Sequence, residues 1–402
     1  MELHPQYENA VEALQDSNLE KLRSLLNQFP ELVHERHTSD EGIYAGYFYR
    51  PTLLHHVGFN PYPNKPFPTN IVEITRLLLE YGADPNVVCG GGPKQPQSDH
   101  GTVIGLIMSG FSAINNGHAR ALVELLLENG AQMHHGTSGV NLFGALYHTV
   151  ENQKQREAAR ILYDLGHEID MVFAAGLGLL DVLKSYENGD GTLKEGADRF
   201  FKQHRRDEKE ASVQDIYQDC LLAASITNEL QVLDYLLEKG LDLNQFRRWG
   251  PWEVTPLHGA CWAGWLEASQ YLVEKGAETT IYDPEHGSTP IGWAHYCGRK
   301  EVFDWFNERE ELFGMMDALE FGKFERFKSL LGDQDPDTAV GEGQPGVLLR
   351  VAAYNGLKEA VTYLLEKGAN PNLKSSQGKT ALDWAKEQGH EEVVNLLNKE
   401  FY

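Results

Sequence analysis

The chain has 402 residues, of which 41% are apolar and 23% charged, and a formal net charge of −24. The composition is that of an ordinary soluble folded protein, but the length exceeds what one hydrophobic core usually serves. The acidic balance argues against free nucleic acid and against an anionic membrane surface, since both are gripped by clustered Lys and Arg. Two readings of the charge stay open: it keeps the molecule soluble and monomeric, or it steers a basic partner.

The opening Met1-Glu-Leu-His-Pro-Gln-Tyr-Glu8 lacks the basic and apolar stretches of a signal peptide, and no apolar run is long enough to span a bilayer. A cytoplasmic location is therefore expected. Asn9–Gln15 and Leu19–Leu26 carry apolar residues at helical spacing and predict two short helices. The phrase Leu77-Leu-Leu-Glu-Tyr-Gly-Ala-Asp-Pro-Asn86 then starts a pattern. Variants of it close at Gly130, Gly166, Gly240, Gly276 and Gly368, two of the gaps being 36 residues, near one repeat period of about 33, and the others longer. Three segments interrupt the pattern: the proline-rich Asn60–Thr69, the Gly/Pro/Gln-rich Val88–Gly101, and Lys184–Gln214 with its charged run Lys202–Glu210. Further on, Thr255-Pro-Leu-His258 predicts a helix start, with Thr255 as cap and Pro256 in the first turn, where a missing N–H costs nothing. Gly264, Gly298, Gly356 and Gly389 mark turns between paired helices, and the closing glycines end the second helix of each pair. Residues 312–331 read as one more helix pair. The last helix, with Lys386, Glu387, Glu391, Glu392, Lys399 and Glu400 around it, reads as a solvent-facing end.

These motifs are highly specific at 52–86, 217–299 and 346–397 and looser elsewhere, and the chain resembles the ankyrin repeat family over nearly its whole length. The resemblance implies an all-α ankyrin-repeat solenoid of helix-turn-helix units with β-hairpin or loop fingers, about ten or eleven in number and several degenerate. The expected organisation is N-terminal repeats with loop insertions over 1–183, a charged insertion or linker at 184–214, and C-terminal repeats with a capping helix over 215–402. The weak units at 140–190 suggest a bend or pause in the stack. The closing phrases and insertions look most like bacterial members of the family.

In such proteins the partner is held by finger tips and inner-helix ends, which line the concave face. Carried over residue by residue, this implies partner contacts from Arg248, Trp249, Trp252 and Val254 in one finger and Trp262 at the helix end beyond it. It adds Glu285, His286, Tyr296, Phe321, Tyr354 and Asn355 further along. Trp262, Tyr296, Phe321 and Tyr354 are expected to form a row of aromatic residues, the type favoured at binding hot spots. Core packing is the competing reading for several tryptophans, Trp265, Trp293 and Trp305 among them.

Chemistry is harder to find. No HExxH, CxxC, phosphate-binding loop or GxSxG occurs. Gly176–Asp181 fails the dinucleotide fingerprint at its third glycine, and Asp333–Asp337 mimics a calcium loop but has Thr338 and Gln344 where Gly and Glu are needed. His55 and His258 read as structural histidines of the Thr-Pro-Leu-His type, and the adjacent pairs His55-His56 and His134-His135 suit no shared metal. Cys89, Cys220, Cys261 and Cys297 suit reduced, buried thiols of the cytosol. The expectation is a monomeric, non-enzymatic module without cofactor or metal that binds another, possibly basic, protein. Two alternatives stand beside it: an exported bacterial effector that engages a host protein, and an enzyme or small-molecule receptor with its site in the concave groove.

Overall fold

The structure is a computed structural model and describes residues 3–39, 48–58, 66–89, 101–109, 112–133, 154–199, 201, 210–249, 252–338 and 345–399. Most of the 60–69 run, the tip of the 88–101 finger, the charged stretch 202–209, His134-His135 and Gln344 lie outside the described residues. The chain divides into two compact units, Met1–Leu241 and Asp242–Tyr402.

The first unit contains α1 (Tyr7–Gln15), α2 (Leu19–Gln28), α3 (Ile71–Glu80), α4 (Val103–Ser109), α5 (Ser112–Asn115), α6 (Ala119–Glu128), α7 (Lys154–Asp164), α8 (Met171–Gly176), α9 (Leu180–Ser185), α10 (Val213–Ile226) and α11 (Leu230–Leu237). A two-residue ladder pairs β1 (Val88–Cys89) with β2 (Gly101–Thr102), antiparallel, at the base of a finger. The helices pair because one face of each is apolar. Leu22 and Leu26 of α2, Ile74, Leu77 and Leu78 of α3, and Leu122, Val123 and Leu126 of α6 are all buried in one continuous core. A 3-10 turn, Leu53–Val57, stands where an inner helix is expected. Its cap is the anticipated one: Thr52 Oγ1 and His55 Nδ1 share a hydrogen bond at 2.9 Å.

The described part of 184–214 is tied down rather than hanging as a linker. Tyr186 Oη donates to the Ile169 carbonyl at 2.7 Å, and the Phe201 N–H donates to Asp170 Oδ2 at 2.8 Å. Glu187 accepts from Tyr217 Oη at 2.8 Å and Tyr235 Oη at 2.6 Å, and Lys239 Nζ lies 3.0 Å from the same carboxylate. Burial works against ionising Glu187, but these donors outweigh it and hold its carboxyl below the usual range.

The second unit opens with an antiparallel hairpin, β3 (Arg247–Trp249) and β4 (Trp252–Val254). Helices α12 (Pro256–Ala263), α13 (Leu266–Glu274), α14 (Pro290–Tyr296), α15 (Lys300–Asn307), α16 (Met315–Glu320), α17 (Phe324–Leu331), α18 (Val347–Tyr354), α19 (Lys358–Glu366), α20 (Ala381–Glu387) and α21 (Glu391–Lys399) follow in pairs. The first member of each pair forms an inner layer, with α12 on α14, α16 on α18 and α18 on α20. The second members form an outer one, with α13 on α15 and α19 on α21. Ala260, Cys261, Ala294, Ala318, Ala352, Ala353 and Ala385 are fully buried, and these small side chains are what lets the inner helices approach closely. Thr255, Thr289 and Thr380 cap α12, α14 and α20 by accepting a backbone N–H three residues on. Gly276 ends the outer helix with φ +98°, a left-handed conformation that side chains resist. At Gly356, φ is +68° and an added Cβ would meet the His390 ring at 2.6 Å.

Neighbouring repeats are stitched by polar groups as well as by the core. Asn244 Oδ1 accepts the Glu278 N–H at 2.9 Å, Asp337 accepts the Asn370 N–H at 3.1 Å, and His390 Nε2 donates to the Tyr354 carbonyl at 2.8 Å. His258 is the central staple. Its Nδ1 accepts from Thr255 Oγ1 at 2.8 Å and its Nε2–H donates to the Ser288 carbonyl at 3.1 Å, which fixes one neutral tautomer. Burial pushes its pKa down to about 4.

Candidate binding site

The hairpin sets the first wall of the site. Alternation along the two strands puts Arg247, Trp249, Trp252 and Val254 on one face and Arg248 and Glu253 on the other, with Trp249 opposite Trp252 and Arg248 opposite Glu253. The two faces meet different surroundings. Trp249 is 1% exposed and Val254 3%, so both belong to the interior and neither is available to a partner, contrary to the expectation from their place in a finger. Trp252 stays half-buried at the rim.

Helices α12 and α14 supply the next walls. Trp262 lies near the end of α12 and Tyr296 near the end of α14, each seven residues beyond its capping threonine. The Trp252 ring meets Trp262 at 5.9 Å with a 50° tilt and Trp293 at 5.7 Å, edge to face at 86°. His286 closes on Trp293 at 5.4 Å and 89°. These four rings, with Ser288, Tyr296 and Cys297, line an open pocket of about 260 Å³ whose surface is mostly carbon.

The finger 283–288 is held in shape by one carboxylate. Asp283 Oδ1 accepts the N–H groups of Glu285 at 3.1 Å and His286 at 2.7 Å; Oδ2 accepts the Ser288 N–H at 3.0 Å and the Trp293 indole Nε1–H at 2.9 Å. Burial alone would raise its pKa, but the Trp293 and backbone donors prevail and keep Asp283 ionised well below neutrality. The carboxylate therefore fixes both the finger and the orientation of a pocket wall. Beyond it, Glu285 is exposed and its Oε2 accepts the Glu253 N–H at 3.0 Å, linking this finger to the hairpin.

A second, more polar pocket of about 390 Å³ adjoins, with Glu320, Arg350, Tyr354, Asn355 and Trp384 in its walls. The Tyr296 hydroxyl donates to Glu320, so the two pockets share an edge. Tyr296 is 65% exposed and Tyr354 44%, and Tyr354 packs edge to face on Trp384 at 5.6 Å. Behind the row, Asp317 is 4% exposed; burial pushes its pKa up to about 6 although Thr289 Oγ1 donates to Oδ1 at 2.7 Å.

Of the expected row, Trp262, Tyr296 and Tyr354 do line the groove. Phe321 does not: it packs against His295 at 4.9 Å, Phe303 at 5.0 Å and Phe313 at 6.2 Å, because it caps the end of α16 and turns back toward the preceding helix pair. Arg248 lies on the hairpin face opposite Trp252, and Asn355 is half-buried with its Nδ2 bonded to the Val351 carbonyl at 3.2 Å. Two tryptophans were not foreseen as lining residues, Trp293 and Trp384. Each stands four residues after its capping threonine, and that shared register is the signal that could have found them.

Each of the four cysteines carries a thiol, and none is joined in a disulfide. Burial pushes the thiols of Cys89 and Cys261 up to about 12, which keeps them protonated and inert. Among the described residues no three His, Cys, Asp or Glu side chains gather as a metal ion would require, and no helix is long and apolar enough to cross a membrane.

Residues 220–311 and 315–401 match the family profile described as "Ankyrin repeats (3 copies)". The chain is 39% identical over 83 residues to the E3 ubiquitin-protein ligase hecd-1 of Caenorhabditis elegans, an alignment covering 20% of this chain and 3% of that protein. It is 37% identical over 68 residues to the protein fem-1 homolog A-like of Mus musculus, covering 17% of this chain and 10% of that one. The chain thus spans a small fraction of the length of these relatives. A solved chain from the complex of the Bd0816 predatory endopeptidase of Bdellovibrio bacteriovorus with immunity protein Bd3460 aligns over 45% of this chain and 97% of its own, at 23% identity and a TM-score of 0.30.

Proposed function

Because the chain is an ankyrin repeat protein, and so a protein–protein interaction module in the general sense, we propose that it binds a partner protein through the aromatic groove of its second unit. One observation carries the reading. Among the described residues the exposed large apolar side chains are Val88, Tyr282, Tyr296 and Tyr354, and the last two share the groove with the half-buried Trp252 and Trp262. Scattered apolar residues at a surface mean little, whereas Trp and Tyr gathered around a concavity are what protein interfaces use as anchors. The groove is open and its walls are held by the core beneath them, so a partner side chain enters without reorganising the repeats. The net charge of −24 favours a basic partner, and a monomeric, cytoplasmic, non-enzymatic molecule is the simplest setting for such a surface.

The test compares wild type with Trp252→Ala/Trp262→Ala/Tyr296→Ala as baits in an affinity pull-down, with circular dichroism to show that both are folded. A protein retained by wild type and lost from the folded triple variant supports the reading. Identical retention by both sinks it.

A further inference from the structure

The pocket's chemistry narrows what it receives, and the step taken here rests on the groove being the partner site. Three indole planes and an imidazole stand at steep mutual angles around it, at centroid separations of 5.4 to 5.9 Å. The faces of aromatic rings carry negative potential, and a pocket walled by several aromatic rings attracts a cation. The same unit already uses this attraction elsewhere: Arg309 lies 4.6 Å from the Trp305 ring and Lys379 lies 4.2 Å from that of Trp384.

Three further features point the same way. The Trp293 N–H is donated to the ionised Asp283, and a hydrogen bond to an anion pushes electron density back into the indole that forms the wall. Acidic groups ring the site: Glu285 sits over the hairpin backbone, Glu320 holds the Tyr296 hydroxyl, and Asp317 lies behind with its Oδ2 buried and unbonded. Arg247 shares the hairpin face of Trp252, while two other nearby cations are engaged or turned away. Arg299 donates its Nε–H to the Trp262 carbonyl at 2.7 Å, and Arg248 sits on the opposite hairpin face, across from Glu253.

The lining also selects among cations. A primary ammonium brings three N–H donors that must each find an acceptor, whereas a quaternary ammonium brings none. The lining offers mostly carbon and few acceptors, the Tyr296 hydroxyl oxygen among them. We propose that this pocket takes a quaternary ammonium group carried by the partner protein, the head of a trimethylated lysine side chain.

The test uses the full chain and follows its tryptophan indole N–H signals by NMR, assigned by single Trp→Phe variants. The titrants are a short neutral peptide with one trimethyllysine, the same peptide with lysine, its uncharged tert-butyl isostere, and choline chloride, all at constant ionic strength. The trimethyllysine peptide should shift Trp252, Trp262 and Trp293, and bind about tenfold or more tightly than the isostere, which has the shape without the charge. It should also exceed the lysine peptide. Trp262→Ala should abolish the effect and Trp262→Phe, which keeps a ring face, should restore part of it. Equal binding of the isostere overturns the proposal, as do shifts confined to Trp305 and Trp384. Choline binding as tightly as the peptide overturns the protein-borne source. The two readings fail separately. If capture is lost from the triple variant while no ammonium compound binds, the partner site stands and the ammonium assignment falls. If the trimethyllysine peptide binds while the triple variant captures the same proteins, the assignment holds and the groove's role in that interaction falls.

Discussion

His55 and His56 are adjacent in sequence and meet opposite surroundings. His55 shares a hydrogen bond with Thr52 and accepts the Thr52 N–H at 3.0 Å, as a structural capping histidine does. His56 is 3% exposed and packs edge-on to Phe48 at 5.1 Å and Tyr7 at 6.4 Å, and among the described residues neither of its ring nitrogens has a hydrogen-bond partner. Burial, then repulsion from His55 and His37, pushes its pKa down to about 3. A histidine depressed in the folded state contributes stability that is present above its unfolded pKa near 6.5 and is lost as the pH falls toward the folded value. Wild type should therefore lose about 2 kcal/mol through this residue between pH 7 and pH 5. His56→Phe, which keeps the ring contacts and removes the titration, should lose that much less in urea unfolding measured at the two pH values. Equal losses in both proteins would show that His56 does not govern the acid limb.

At the level of elements, the helix ends were the most readable part of the chain. Threonine caps at 255, 289 and 380 and left-handed glycines such as Gly276 are local chemistry, and local chemistry is what a sequence carries directly. The hairpin was read less well. Period-two alternation does separate Trp249 and Val254 from Arg248, but only the depth of the packing beneath decides which face is solvent. Phe321 was misplaced for a related reason: its neighbours His295, Phe303 and Phe313 come from other elements, and their meeting is tertiary. Trp293 and Trp384 were discoverable from their common offset behind a capping threonine. The Glu187 cluster was not, since its tyrosines and lysine arrive from α10 and the end of α11. Lys239 also lies 4.8 Å from the Tyr217 ring and 4.6 Å from that of Tyr235, and Lys184 lies 4.4 Å from Tyr235. Glu187→Gln removes the charge that organises these donors and should cost about 1–2 kcal/mol, in the range of a hydrogen bond to a charged group at a partly exposed site. Urea unfolding measures it, and hydrogen exchange should quicken at the Lys194 N–H, which donates to the Tyr186 carbonyl. An unchanged midpoint would mean that the segment is held by Tyr186 and Phe201 without help from Glu187.

For the whole molecule, two compact units follow one another with a division between Leu241 and Asp242. Nothing in composition marks that point, since Gly240-Leu-Asp-Leu-Asn244 is an ordinary closing phrase. The charged break in composition falls earlier, at 184–214, and does not coincide with it. The repeat period made the architecture readable because each unit buries its apolar face against its neighbours. It says little about the partner, because the fold is shared by proteins with many different ones. What distinguishes this chain is the set of indoles and phenols at the inner-helix ends of the second unit, on an acidic background. The most direct measurement is site-specific photocrosslinking in cells with p-benzoylphenylalanine at Tyr296, in the groove, and in parallel at Glu274, exposed on the outer helix α13. A discrete protein adduct at position 296 and none at 274, competed away by excess wild-type chain, is the predicted result. Equal adducts at both positions, or an adduct at 274 alone, would contradict the account.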